Sequence, residues 1–223
     1  MRSQLFVTFV ALPLLYSAAF AAGKTNNPCE ILVDKNTKNK LPETSQVVVV
    51  RTLPESQALA SLCQWQGKTW YPVFTANFKA IIGKNGLAAV GAKKEGDLKT
   101  PQGLFPIGDV FGSKPMKLKM NYKYITADDK FIDDINSKEY NTWVTGPTLA
   151  KSYESMLIPA YQVGAVVNYN VKPIVKGAGS AIFLHLWENQ NTPTHGCIAT
   201  DKKHLLAMLH WLDKRQRPYI MIY

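Results

Sequence analysis

Short β-branched and aromatic runs, each ended by turn residues, constrain this chain more than any other feature of it. Gln46-Val47-Val48-Val49-Val50-Arg51 heads the series. It continues through Cys63-Gln64-Trp65, Trp70–Phe74, Phe78–Ile82 and Leu104–Gly108. Further runs are Trp143-Val144, Gly164–Tyr169, Ala181–His185 and Tyr219–Tyr223. Many short runs with turn signals such as Gln66-Gly67-Lys68 between them predict a mainly β sandwich or barrel. One segment departs from that period. Asp201 is a good N-cap, and Leu205, Met208, Leu209 and Leu212 then share one face, which predicts a single α-helix of about three turns. Residues 112–141, rich in lysine and aspartate, read as a long loop or lid over one end of the sheet.

The N-terminus reads as a targeting segment. Arg2 precedes an apolar run from Leu5 to Phe20, and Ala19-Phe20-Ala21 gives the small-x-small pattern of a cleavage site. A signal peptide is therefore expected over 1–21, with the run broken at Pro13 and too short to remain as a membrane anchor. Residues 22–45 are polar and read as a leader arm. Residues 46–223 are the right length for one domain, and a monomer is expected. The formal net charge is +10. In an exported chain this excludes nucleic acid as the natural partner and points instead to the periplasm or cell envelope, where anionic polymers reside. The lysines are scattered, as on an ordinary solvated surface.

Three cysteines in an exported chain suggest one bridge and one free thiol. Cys29 and Cys63, both in the N-terminal third, are the expected pair. Two unpaired thiols are the alternative. Cys197 stands apart, in Thr194-His195-Gly196-Cys197-Ile198-Ala199, downstream of a strand that ends at His185. A nearby imidazole can activate a thiol, a helix N-terminus after it would favour thiolate, and a glycine before it lets backbone amides converge as an oxyanion hole. The bland alternative is a buried packing cysteine. A zinc site from His185, His195, Cys197 and His204 is a second alternative, with a spacing that matches no common zinc pattern. His204 and His210 fall on the helix as surface or packing residues.

The stretch Thr194-His195-Gly196-Cys197, preceded by the strand-ending His185, resembles the catalytic motif of the L,D-transpeptidase (YkuD-like) domain. Gly96-Asp97-Leu98-Lys99-Thr100-Pro101-Gln102-Gly103 resembles the Gly-Asp-x-x-Thr-Pro-x-Gly segment of the same family. The resemblance spans about 46–223. It implies a YkuD-like β fold, no metal or organic cofactor, and peptidoglycan stem peptides as partners. It implies Cys197 as nucleophile and His185 as base, with the Leu186 carbonyl orienting the base and His195 in support. The Gly196 and Cys197 amides would form the oxyanion hole. The reaction implied is attack on the bond between a diamino acid and a terminal D-alanine, with the acyl group passing to a second stem or to water. Three departures suggest a divergent branch: a loop of only eight residues after His185, Leu186 in place of glycine, and Ala199 in place of arginine.

Thr194, Trp187 and Tyr153 are candidate groove residues, as is Trp143, although aromatics fill small β cores by default. Glu95-Gly96-Asp97 and Thr100-Pro101 read as turn chemistry. Two other functions compete with transfer. One is hydrolysis of the same stems by an L,D-carboxypeptidase or amidase. The other is a non-catalytic wall-binding module, which would have no need of an activatable thiol. A papain-like enzyme is disfavoured because its cysteine precedes its histidine.

Overall fold

The computed structural model of the protein describes residues 27–33, 41 and 43–223. The signal peptide read at 1–21 lies outside the described residues, as do 22–26, 34–40 and 42 of the leader arm.

The strands in chain order are β1 (Gln46–Thr52), β2 (Gln57–Trp65), β3 (Trp70–Pro72), β4 (Phe78–Ile81), β5 (Leu87–Ala88), β6 (Thr100–Pro101) and β7 (Gly103–Gly112). They continue as β8 (Tyr122–Tyr124), β9 (Asp129–Ile132), β10 (Trp143–Thr145), β11 (Tyr153–Ser155), β12 (Val163–Val167), β13 (Phe183–Leu186), β14 (Ile198–Thr200) and β15 (Tyr219–Ile222). The helix α1 (Lys202–Trp211) falls between the last two strands.

The main sheet runs β1-β15-β7-β12-β13-β14-β4-β2, and β2 pairs back with β1, so the sheet closes into a barrel. Closure removes the unpaired edges that an open sheet of this size would leave. β3 extends β2, and β8 extends β7.

The valine run explains itself once both faces of β1 are followed. Val48 and Val50 point into the main core with Leu62, Val110, Ala165 and Leu184. Val47 and Val49 point outward, yet they too are buried, beneath Cys29, Leu32 and Trp70. Each fully buried side chain of this size contributes about 1.5–3 kcal/mol, so an uninterrupted valine run is what a strand covered on both faces requires. The cover on the outer face comes from a 3-10 helix, Glu30–Leu32. The reading of 22–45 as a mere leader arm is therefore corrected for this part: Cys29 and Leu32 are fully buried on the barrel wall.

A disulfide joins Cys29 to Cys63 in β2, across a sequence separation of 34. Closing a loop of that size stabilises a domain by about 3–4 kcal/mol in the chain-entropy account. The double substitution Cys29→Ser, Cys63→Ser is expected to lower unfolding free energy by that amount in a denaturant titration. It should leave the distant cavity intact.

The helix forms as the sequence predicts. The Asp201 side chain accepts the His204 N–H at 3.0 Å, and Leu205, Met208, Leu209 and Leu212 are buried in the main core.

The segment 112–141 is not a bare loop. It carries β8 and β9, and β9 pairs with β10 and β11 as a separate three-stranded sheet. Asp129 ties that sheet together, accepting from the Thr126 N–H at 2.8 Å, Trp143 Nε1 at 2.8 Å and the Thr145 hydroxyl at 2.5 Å. Burial alone would raise its carboxyl, but these donors hold it far below the usual carboxylate range. Phe111, Phe131, Tyr161 and Phe183 then pack the small sheet against β13 in edge-to-face pairs.

Candidate active site

A cavity of about 610 Å³ opens at one end of the barrel, beneath the small sheet. His185, Cys197 and Tyr161 share its wall with Lys93, Glu154 and Glu95. β13 and β14 pair in parallel, with His185 opposite Ala199, and this register brings the imidazole and the cysteine to the same end of the barrel.

The turn that presents Cys197 is built from its own backbone. Gly196 has φ +150, and a Cβ there would lie 3.0 Å from the Lys99 carbonyl, so only glycine fits without displacement. The Thr194 hydroxyl donates to the Cys197 carbonyl at 2.6 Å and accepts the Gly196 N–H at 3.2 Å. The Thr100 hydroxyl accepts the Gly83 N–H at 2.9 Å and reaches the Cys197 carbonyl at 3.5 Å. Asp97 accepts the Lys94 and Lys99 N–H groups, each at 2.8 Å, and pairs with Lys93 at 2.7 Å. The Gly-Asp-x-x-Thr-Pro segment thus braces the cysteine turn from behind.

The sulfur itself is covered. Its S–H donates to the Ala181 carbonyl at 3.2 Å, and it accepts the Phe183 N–H at 3.4 Å. Ala181 adopts φ +52, a left-handed conformation that costs a non-glycine residue about 1–2 kcal/mol. The Asn141 side chain holds it there, accepting the Ala181 N–H at 3.2 Å and donating to the carbonyls of Tyr169 and Asn170. Burial pushes the thiol well above its ordinary pKa; the charge of Glu154 adds to this, and the Phe183 N–H opposes it. The resting group is a neutral thiol.

His185 is set up differently. Its Nδ1 lies 2.8 Å from the Leu186 carbonyl, which can only accept, so Nδ1 carries the proton and Nε2 keeps its lone pair. Burial pushes the imidazole down to about 4, against the pull of that carbonyl. It is neutral at physiological pH and able to accept a proton. The edge of Tyr161 packs on its ring with centroids 5.2 Å apart. The sulfur's hydrogen bonds go to Ala181 and Phe183 rather than to this ring.

Residues 47–220 match the YkuD family, described as the L,D-transpeptidase catalytic domain. The chain belongs to that family. No curated protein matches it. Among solved structures, Bd1075 of Bdellovibrio bacteriovorus is similar at 17% identity and a TM-score of 0.43. The match covers 81% of this chain and 48% of that one, so the chain spans about half the length of that relative.

Several sequence expectations change in this L,D-transpeptidase domain. Cys197 leads into strand β14 rather than a helix. α1 begins only at Lys202, and its N-terminus is already capped by Asp201, so no helix field acts on the sulfur. The expected lowering of the thiol pKa is reversed, because burial outweighs every nearby donor. The Gly196 amide is engaged by Thr194, which leaves the Cys197 amide as the simpler oxyanion donor. Thr194 lines the cavity, but its hydroxyl is committed within the turn.

The remaining candidates divide. His195 is exposed at the cavity rim, and Trp187 lines the wall. Tyr153 points to the opposite face of β11, where Lys130 lies over its ring at 5.5 Å, and it is Glu154 that enters the cavity. Trp143 packs between Phe111 and Phe131 instead of lining the groove. His204 stacks on Phe78 beside Asp201, away from Cys197. Among the described residues, no three His, Cys, Asp or Glu side chains converge as a metal site. Sequence reasoning missed Glu154, Tyr161 and Lys93 as cavity residues. The one signal for Lys93 was its place four residues before Asp97; nothing in the local pattern marked the other two.

Proposed function

We propose that this chain is an exported peptidoglycan L,D-transpeptidase that works on tetrapeptide stems through a Cys197 thioester. The observation that carries the reading is the 2.8 Å contact of His185 Nδ1 with the Leu186 carbonyl, which assigns the proton to Nδ1 and leaves Nε2 as a neutral base in the cavity that the free thiol of Cys197 lines.

In this reading the thiol leaves the Ala181 carbonyl, and Nε2 takes its proton as sulfur attacks the carbonyl carbon of the bond between the diamino acid and D-alanine. Proton transfer and attack are concerted, because a thiol this deeply buried does not ionise in advance. The C–N bond breaks, and the imidazolium returns the proton to the departing D-alanine amine. The amine of a second stem then attacks the thioester, gives its proton to Nε2 and releases Cys197. Export is supported by the N-terminal sequence and by the Cys29–Cys63 bridge, since disulfides persist in oxidising compartments.

The test is incubation of the purified protein with tetrapeptide muropeptides, followed by mass spectrometry. Cross-linked dimers are expected. Tripeptides without dimers would instead assign hydrolysis, with water in place of the acceptor amine. No product at all, with an intact fold, would return the chain to a wall-binding role.

A pH profile follows from His185. The base form is present above about 4, so the acid limb of kcat/KM is expected near that value rather than near 6.5. As pH falls through about 4, Nε2 protonates and activity is lost. The unfolded histidine binds its proton near 6.5 and the folded one near 4. Stability should therefore also decline as pH falls between those values. An acid limb near 6.5 would assign the base to a solvent-exposed imidazole.

A further inference from the structure

We infer that the Lys93 ammonium holds the C-terminal carboxylate of the donor stem in the cavity, and so restricts the protein to peptides that end in a free D-alanine. The inference rests on the reading of Cys197 as nucleophile on tetrapeptide stems, and it names the group that receives the donor's end.

Lys93 sits in an unusual place for a cation. It is only 7% exposed, yet it lines the cavity, and among the described residues it is the single lysine or arginine that does so. The charged side chains around it are acidic, Glu95, Asp133, Glu154 and Glu188, although the chain as a whole carries a net charge of +10. A peptide carboxylate that enters this cavity therefore meets one ammonium that attracts it, and that ammonium fixes where the carboxylate can rest.

The surrounding chain holds the ammonium in place without exhausting it. Nζ donates to the Asp97 carboxylate at 2.7 Å and to the Lys94 carbonyl at 2.9 Å. An ammonium has three N–H groups, so one is left over. Asp97 does not neutralise the charge fully, because the same carboxylate also accepts the Lys94 and Lys99 N–H groups. A buried cation with an unspent donor is unfavourable, and a ligand carboxylate relieves exactly that deficit.

The position suits the chemistry. Gly179 packs directly on the lysine: a Cβ there would lie 2.9 Å from Lys93 Cγ and 3.2 Å from Nζ. Two residues further along the chain, the Ala181 carbonyl accepts the Cys197 S–H. In the donor, only the nitrogen and Cα of D-alanine separate the terminal carboxylate from the scissile carbonyl. A group that binds this carboxylate must therefore lie on the same wall as the sulfur, as Lys93 does. Once the C–N bond breaks, the contact leaves with D-alanine and Lys93 has no hold on the acyl group that stays on sulfur.

The experiment compares two ligands, a tetrapeptide stem with a free D-alanine carboxylate and the same stem ending in D-alaninamide. Binding is measured by isothermal titration calorimetry in the Cys197→Ala background, where neither is consumed. The acid is expected to bind about tenfold tighter than the amide, the effect of one hydrogen bond between charged groups. Lys93→Gln, which keeps an N–H donor without the charge, should bring the two within about twofold of each other. A lysine that merely braced Asp97 would weaken both ligands alike and leave their ratio unchanged, and that result would overturn the inference. Lys93→Met replaces the glutamine variant if that variant does not fold. Equal affinity for acid and amide while Lys93 is present overturns the inference with no substitution at that position. Turnover of muropeptides without an acid preference removes this inference alone, whereas an acid preference without turnover removes the transpeptidase reading alone.

Discussion

Cys197→Ala is expected to eliminate product formation from tetrapeptide muropeptides, to the limit of detection, while leaving the protein folded. A missing nucleophile removes the covalent route altogether, and losses of about 10⁵-fold or more are the rule for such replacements. The structural cost is small by comparison. The side chain is buried, but what it makes is one weak S–H bond to Ala181 and one contact from the Phe183 N–H, together worth about 1 kcal/mol. Alanine fills most of the space. Circular dichroism and thermal denaturation should therefore match the wild type while the mass-spectrometric assay reads zero. Wild-type turnover by the variant would remove Cys197 from the chemistry.

His185→Ala is expected to lower kcat/KM by about 10³-fold, within the range attributed to a single positioned base. KM should change little, because the ring is buried in the cavity wall and its Nδ1 is spent on Leu186. The loss should persist across neutral pH, since no other buried imidazole is present among the described residues to replace it. A loss below tenfold would instead make the rim residue His195 the base. The two substitutions act on one step, so combining them should cost no more than Cys197→Ala alone.

Much of the fold was legible because its signals are local. The valine run of β1, the aromatic pairs of β3 and the apolar stripe of α1 each state a period that a strand or a helix must satisfy. The capping role of Asp201 is a contact across three residues. The two motifs were also legible, since Gly196, Thr194 and Thr100 act through backbone geometry that their residue types dictate. The pairing of Cys29 with Cys63 followed from counting and position.

Other features could not be read because they depend on what lies across the barrel. β14 is three residues long, and β2 extends back to Gln57, beyond the predicted Cys63 start, because β4 pairs with its earlier half. The small sheet of β9, β10 and β11 has strands of three or four residues, too short for a period to emerge. Whether Tyr153 or Glu154 enters the cavity is a question of strand parity, and one residue of register reverses the answer.

A mainly β domain of the L,D-transpeptidase family, its helix and the turn that presents Cys197 were legible from the chain alone, because residue type, spacing and turn chemistry act over a few residues. The protonation state of the groups at the site depends on the folded surroundings instead. Burial, which no short stretch encodes, makes Cys197 a neutral thiol and His185 a neutral imidazole, and chain segments far apart in sequence bring Glu154 and Tyr161 into the cavity that Cys197 lines.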